Sequence, residues 1–132
     1  MTDFARFVET HVERIAPLDR EAALAYWEAS LSGSDEHFRR FSRLQKRIEE
    51  IYADTGAFAV VRRAWEEDGI EDPLLKRSAG VLYRRYLGNQ VDPALLGRIV
   101  ELASEVEGAF GTFRTEENGK TLTMNDVHDI LR

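Results

Sequence analysis

Apolar residues recur every three or four positions through most of this sequence, and that spacing constrains the fold more than any other feature. Such a period places side chains on one face of an α-helix, whereas a half-buried β-strand alternates apolar and polar residues. The clearest stripe comprises Phe38, Phe41, Leu44, Ile48, Ile51 and Tyr52. The sequence therefore predicts an all-α fold.

The first part of the chain is predicted to form two helices. An apolar stripe runs from Phe4 to Ile15, and Pro17 is expected to end this helix because proline lacks a backbone N–H. Asp19 is then expected to cap a second helix. The apolar face of that second helix is predicted to contain Leu24, Trp27 and Leu31.

Two Asp-Pro pairs, at Asp72-Pro73 and Asp92-Pro93, predict two further helix starts, since aspartate caps a helix and proline suits its first turn. The first of these helices carries Leu75, Ala79, Leu82 and Tyr86; the second, the longest, carries Leu95, Ile99, Leu102, Val106, Phe110 and Phe113. The longest helix also contains Gly97, Gly108 and Gly111. Either these glycines lie at its surface or frayed end, or they permit close approach of another helix.

The C-terminal segment is predicted to differ from the rest. Asn118-Gly119 favours a tight turn between two very short strands. Thr123 and Asp126 resemble a capping box that starts a final helix. Together these signals predict a single helical domain over residues 1–132, with six or seven helices and one small β-hairpin near the C-terminus.

Composition narrows the class of protein. The chain is 43% hydrophobic and 32% charged, a balance that allows a packed core. Its net charge of −6 argues against nucleic acid as a partner. No cysteine is present, which excludes disulfides and cysteine-ligated metals. Since the sequence shows no signal peptide and no long apolar run, we expect a cytoplasmic protein without a membrane partner.

No residue pattern identifies an active site. The three histidines, His11, His37 and His128, lack the four-residue spacing of a helical zinc motif, so each is expected to be packed or solvated. Acidic pairs such as Glu49-Glu50 are expected on solvated faces, and the basic doublets 39–40, 62–63 and 84–85 on a salt-bridged surface. The sequence therefore predicts no catalytic, cofactor-binding or metal-binding residues. An acidic enzyme that uses scattered carboxylates is the least favoured function.

Three segments nevertheless carry a resemblance to a known family. They are YWEASLSG at residues 26–33, LYRRYLGNQVDP at 82–93 and FRTEENGKTLT at 113–123. Their order and spacing resemble the N-terminal helical region of zinc oligopeptidases of the angiotensin-converting-enzyme-like and oligoendopeptidase F-like group. The likeness covers essentially the whole chain, although none of the three segments is catalytic.

The resemblance implies that the chain forms part of a channel wall and does not itself catalyse peptide cleavage. In such peptidases the His-Glu-x-x-His helix and the zinc lie beyond the matched region, which forms the lid and one wall of a channel. The chain is thus expected to be a non-catalytic fragment without its own cofactor, and zinc is expected only in the parent enzyme. Its partner would be the remainder of the peptidase, or a second copy bound through exposed apolar helix faces. A stand-alone helical protein-interaction module is the alternative.

Overall fold

Helices make up most of the chain. This computed structural model describes residues 2–67 and 69–132, and within them six helices and one two-stranded hairpin follow in order. The elements are α1 (Asp3–Ser32), α2 (Asp35–Tyr52), α3 (Thr55–Glu66), α4 (Pro73–Gly88), α5 (Pro93–Thr112), β1 (Thr115–Glu117), β2 (Lys120–Leu122) and α6 (Met124–Ile130). None of the helices in these residues has both the length and the apolar character needed to cross a bilayer. The predicted all-α class with one small hairpin is confirmed.

The first helix is continuous over 30 residues and contains Pro17 in its interior. The prediction that Pro17 ends one helix and that Asp19 caps another is therefore wrong. A proline inside a helix costs about 3 kcal/mol, because it removes one hydrogen bond and crowds the preceding turn. An unbroken buried face offsets this cost, and it includes Ile15 and Leu18 on either side of the proline.

A first core cluster lies between α1 and α2. It contains Ile15, Leu18, Ala22, Ala25, Leu44, Ile48 and Ile51. Ala25 and Ala29 of α1 are 0% exposed, and small side chains of this kind allow two helices to approach closely. The predicted apolar face of this part of α1 is wrong, since Leu24, Trp27 and Leu31 are 52%, 64% and 71% exposed.

A second core cluster joins the start of α1 to α3 and α4. Phe4, Val61, Ala79 and Tyr86 form its buried centre. Tyr52, at the end of α2, packs against both clusters, so the two are continuous. The predicted apolar stripe of α4 is confirmed at Ala79 and Tyr86, which are both almost completely buried.

Both predicted Asp-Pro helix starts are confirmed. In Asp72 and Asp92 the carboxylate oxygen Oδ1 accepts hydrogen bonds from the backbone N–H groups two and three residues later, at 2.7–3.1 Å. Pro73 and Pro93 then occupy the first turn, where a missing N–H leaves no hydrogen bond unmade. These caps fix where α4 and α5 begin.

The longest predicted stripe does not face the core. Helix α5 packs mainly on α2, and its buried residues are Leu96, Val100 and Ser104. The predicted apolar residues Leu95, Ile99, Leu102, Val106, Phe110 and Phe113 are instead 43–74% exposed. The period correctly predicts the helix, but it identifies the wrong face as the one packed in this chain.

The glycines of α5 do not require a close helix approach. A Cβ at Gly97 would meet no atom within 4 Å, and one at Gly108 or Gly111 would lie 3.6 or 3.7 Å from the ring of Phe38. Those distances are ordinary van der Waals contacts. The surface interpretation of these three glycines is therefore the one that fits the structure.

The C-terminal hairpin forms as predicted. Asn118 and Gly119 have φ angles of 51° and 75°, the positive values that a two-residue type I′ turn requires. The strands pair antiparallel, with Thr115 opposite Leu122. Thr123 and Asp126 then make a full capping box at the start of α6, which confirms that prediction as well.

Candidate functional site

A hydrogen bond between two buried side chains joins α1 to α4. The hydroxyl of Tyr86 lies 3.1 Å from Nδ1 of His11, and the two residues are 1% and 6% exposed. Burial, with a smaller effect from Tyr52, raises the pKa of Tyr86 to about 12. The hydroxyl therefore remains protonated at neutral pH.

The direction of this hydrogen bond follows from the other ring nitrogen. Nε2 of His11 is buried and has no hydrogen-bond partner within residues 2–67 and 69–132. If Nδ1 carried the hydrogen, the hydroxyl hydrogen of Tyr86 would also need an acceptor, and two groups would be left unpaired. The arrangement with one unpaired group is the one in which Tyr86 donates its hydrogen to Nδ1.

Aromatic rings enclose His11. The ring centroids of Phe7 and Tyr52 lie 6.1 and 5.3 Å from the imidazole centroid. Burial lowers the pKa of His11, and the positive charge of Arg14 lowers it further, against a weaker opposing effect of Asp19. The imidazole is therefore neutral at pH 7, and the prediction of a packed histidine is confirmed for His11.

A partly buried ion pair joins α2 to α4. Oε1 of Glu49 accepts hydrogen bonds from Nη2 of Arg85 at 2.6 Å and from Nε2 of Gln45 at 3.1 Å. The guanidinium of Arg85 also lies 4.8 Å from the ring centroid of Tyr52, within range of a cation–π contact. Because Glu49 is only 8% exposed, its predicted place on a solvated face is wrong.

Sequence spacing contained a signal for this cluster. Gln45, Glu49 and Tyr52 are four and three residues apart, so they share one face of α2. That face contacts Arg85 of α4. Asn89 lies four residues after Arg85, and its side-chain amide donates a hydrogen bond to the Arg85 carbonyl. An interpretation of the sequence that considers only apolar residues misses the polar residues on this face of α2.

The three histidines do not meet. His37 lies at the start of α2, where its Nδ1 is 3.0 Å from Oγ of Ser32, and His128 lies in the last turn of α6. His11 belongs to the buried pair with Tyr86. Across the part of the chain that the structure describes, no three His, Cys, Asp or Glu side chains are grouped as metal ligands would be.

Each basic doublet contributes one arginine to an ion pair. Arg40 pairs with Glu28 at 3.4 Å, Arg62 with Glu66 at 2.8 Å, and Arg85 with Glu49 at 2.6 Å. The prediction of a salt-bridged surface is confirmed at these positions. The first two pairs are about half exposed, and such pairs contribute little to stability.

A groove of about 450 Å³ runs between α2, the end of α4 and α5. Glu49 and Arg85 line it together with Arg84, Ile99 and Glu107. His11 and Tyr86 do not line this groove. The groove thus offers both charge and apolar surface, whereas the histidine is enclosed.

Two helix faces expose several large apolar side chains each. The α5 face, as we call it, consists of Leu95, Ile99, Leu102, Val106, Phe110 and Phe113. The α1 face consists of Leu24, Trp27 and Leu31. Large contiguous apolar patches are rare on soluble monomers and mark surfaces that contact other molecules. These two faces, rather than a catalytic constellation, are the candidate functional site.

Comparisons with models of known protein families, with curated proteins and with solved structures gave no match.

Proposed function

We propose that this chain is a non-catalytic helical segment of a zinc-dependent oligopeptidase, in which it forms part of the lid or of one channel wall. The observation that carries the proposal is the exposure of the α5 face and the α1 face. A segment that packs on the rest of a larger protein is expected to have such faces. The order and spacing of the three matched segments, at residues 26–33, 82–93 and 113–123, supply the peptidase assignment.

The buried polar contacts suit a wall. The His11–Tyr86 hydrogen bond ties α1 to α4, and the Glu49–Arg85 ion pair ties α2 to α4. Cross-links of this kind hold helices in a fixed arrangement, which a channel wall needs in order to exclude large substrates. The zinc and the residues that polarise the peptide bond would come from the remainder of the peptidase, and no chemical step is assigned to this chain.

Sequencing the reading frame beyond the codon for Arg132 is the first test. We expect it to continue into a His-Glu-x-x-His motif. In the longer protein, hydroxyl-radical footprinting should then show Leu102 and Phe110 protected relative to the 132-residue chain, when that chain is labelled at a dilution at which it is monomeric. A stop codon directly after Arg132, or equal labelling of both residues in the two proteins, would contradict the proposal.

The purified 132-residue chain provides a second test. We expect far less than one equivalent of zinc by elemental analysis, and no cleavage of internally quenched peptides. Stoichiometric zinc that is lost on His37→Ala or His128→Ala, while the far-ultraviolet circular dichroism is unchanged, would overturn the assignment. His11 is unsuitable for this control because its substitution also removes the buried hydrogen bond to Tyr86.

The groove between α2, α4 and α5 favours a second candidate, a stand-alone module that binds a helix of another protein. Its lining combines Ile99 and Leu96 with Arg84 and Glu107. Amphipathic helices bind grooves in this way, with apolar anchors inside and charges at the rim. This candidate requires a reading frame that ends near Arg132, so the sequencing test separates it from the peptidase segment.

A further inference from the structure

We infer that a second copy of this chain covers the α5 face, with the two α5 helices packed antiparallel about a twofold axis near residue 104. This inference goes beyond the proposed function and does not require it, because it concerns a surface that the 132-residue chain carries by itself. The symmetry of the α5 face, its area and the charges at its edge all suit such a pair.

The α5 face is nearly symmetric along its own length. Leu95 and Phe113 each lie nine residues from position 104, and Leu102 and Val106 each lie two residues from it. The remaining pair, Ile99 and Phe110, lies five and six residues away. An antiparallel partner would therefore place an apolar residue opposite every apolar residue of the face. A twofold interface needs this kind of self-complementary surface.

The area is sufficient for a specific dimer. The six side chains are 43–74% exposed, so most of their surface is open to solvent. Side chains of this size leave roughly 600 Å² exposed per copy, and pairing that covered all of it would bury about 1,200 Å², the lower end of the range for stable interfaces. The α1 face, with three residues, offers about half as many anchors.

Charges along one edge of the face are complementary in the same arrangement. Arg98 and Glu105 lie on the same flank of the α5 face. In an antiparallel twofold pair, equal flanks meet, and Arg98 of one copy lies about five residues, or roughly 7.5 Å along the axis, from Glu105 of the other. Both side chains are long enough to span that distance. Within the residues that the structure describes, the ion pair of Arg98 is a 3.5 Å contact with Glu101, which leaves its guanidinium able to reach this second partner.

Analytical ultracentrifugation across a dilution series tests the dimer, with Leu102→Asp as the disruptive variant and Leu24→Asp as its matched control. Both positions are exposed leucines on helices, at 43% and 52%. We expect a monomer–dimer equilibrium that Leu102→Asp weakens by about tenfold or more, because it places a charge against an apolar surface. Leu24→Asp should leave it unchanged. A strict monomer at all concentrations, or loss of the dimer with Leu24→Asp alone, would overturn the inference.

Single cysteines test the antiparallel register, and the absence of native cysteine makes the result unambiguous. Leu102→Cys and Val106→Cys chains, mixed under mild oxidation, should form the mixed disulfide several times faster than either variant alone. Residues 102 and 106 face each other only in the antiparallel pair, whereas a parallel pair would link like positions. Faster cross-linking within each variant alone would refute the register even if Leu102→Asp failed to fold.

The outcomes separate this inference from the proposed function. A strict monomer would remove the dimer but leave the α5 face for the remainder of a peptidase to cover. Conversely, a reading frame that ends at Arg132 would remove the peptidase segment and leave the dimer in place.

Discussion

The hydrogen bond between Tyr86 and His11 should be measurable as a coupling energy. Tyr86→Phe removes the hydroxyl and leaves both nitrogens of His11 buried without a partner, since Nε2 already lacks one within the described residues. His11→Phe keeps an aromatic ring in place but leaves the hydroxyl of Tyr86 unpaired instead. The double variant removes both polar groups at once.

The structure sets the expected size of each effect. Tyr86 and His11 are 1% and 6% exposed, so water cannot replace a lost partner. Leaving a buried polar group unpaired costs about 1–3 kcal/mol, and each single variant should lose stability in that range. Replacing both partners by apolar groups is nearly neutral, so the double variant should lose less stability than the sum of the two single losses, by about 2 kcal/mol or more.

Urea unfolding followed by circular dichroism at 222 nm gives the four free energies of unfolding. All four proteins should be measured at pH 7.5 and at one low concentration, because self-association would add to the apparent stability. A double variant that loses the sum of the two single losses would show no coupling, and it would refute the hydrogen bond as the structure has it.

Three further perturbations have expected signs. Burial is the main reason that the pKa of His11 is lower in the folded state, so the unfolded chain binds the proton first as the pH falls. The contribution of His11 to the free energy of unfolding should therefore be fully present above the unfolded pKa near 6.5 and decrease as the pH drops below it. His11→Phe should flatten that part of a plot of the urea midpoint against pH. Gly97→Ala should stabilise the protein by about 0.5–1 kcal/mol, because the new Cβ meets open space within α5. Gly33→Ala should destabilise it, because φ is +64° there and the new Cβ would lie 3.0 Å from Cγ2 of Thr112. Thermal melts of the two variants test both signs. Pro17→Ala should stabilise by about 1–3 kcal/mol, because Pro17 is exposed and alanine restores a helix N–H. An unchanged or lower melting temperature would contradict this cost of the proline.

Local chemistry made the helix and turn boundaries predictable in the second half of the chain. Asp72 and Asp92 cap helices with hydrogen bonds to backbone groups only two and three residues away. Asn118 and Gly119 tolerate the positive φ angles of a tight turn. Since each of these signals acts within a few residues, sequence alone is enough to place them.

Whether α1 continues through Pro17 depends on contacts with residues far along the chain, and the prediction from local chemistry was wrong there. A cost of about 3 kcal/mol argues for a break in an isolated helix. Packing of Ile15 and Leu18 onto α2 is what keeps α1 continuous. The same is true of the face that α1 buries: alanines such as Ala25 carry little hydrophobic signal, yet they are the residues that fit closely against α2.

The buried polar pairs were equally inaccessible to a local reading. His11 and Tyr86 are 75 residues apart in sequence, and Glu49 and Arg85 are 36 apart. Spacing along one helix cannot reveal a partner on another helix. A helix face that contains Gln45, Glu49 and Tyr52 does indicate a polar contact with some neighbour, but not which neighbour.

The α5 face shows what hydrophobic periodicity can establish. A stripe from Leu95 to Phe113 indicates that one side of the helix will be covered, but it does not say by which polypeptide. Within this chain α2 covers the adjacent side, through the narrower set of Leu96, Val100 and Ser104. The broader and more apolar side is left exposed in this chain. In the proposed dimer, the near symmetry of that side about residue 104 would let a second copy cover it, and the mixed-disulfide experiment tests that arrangement directly.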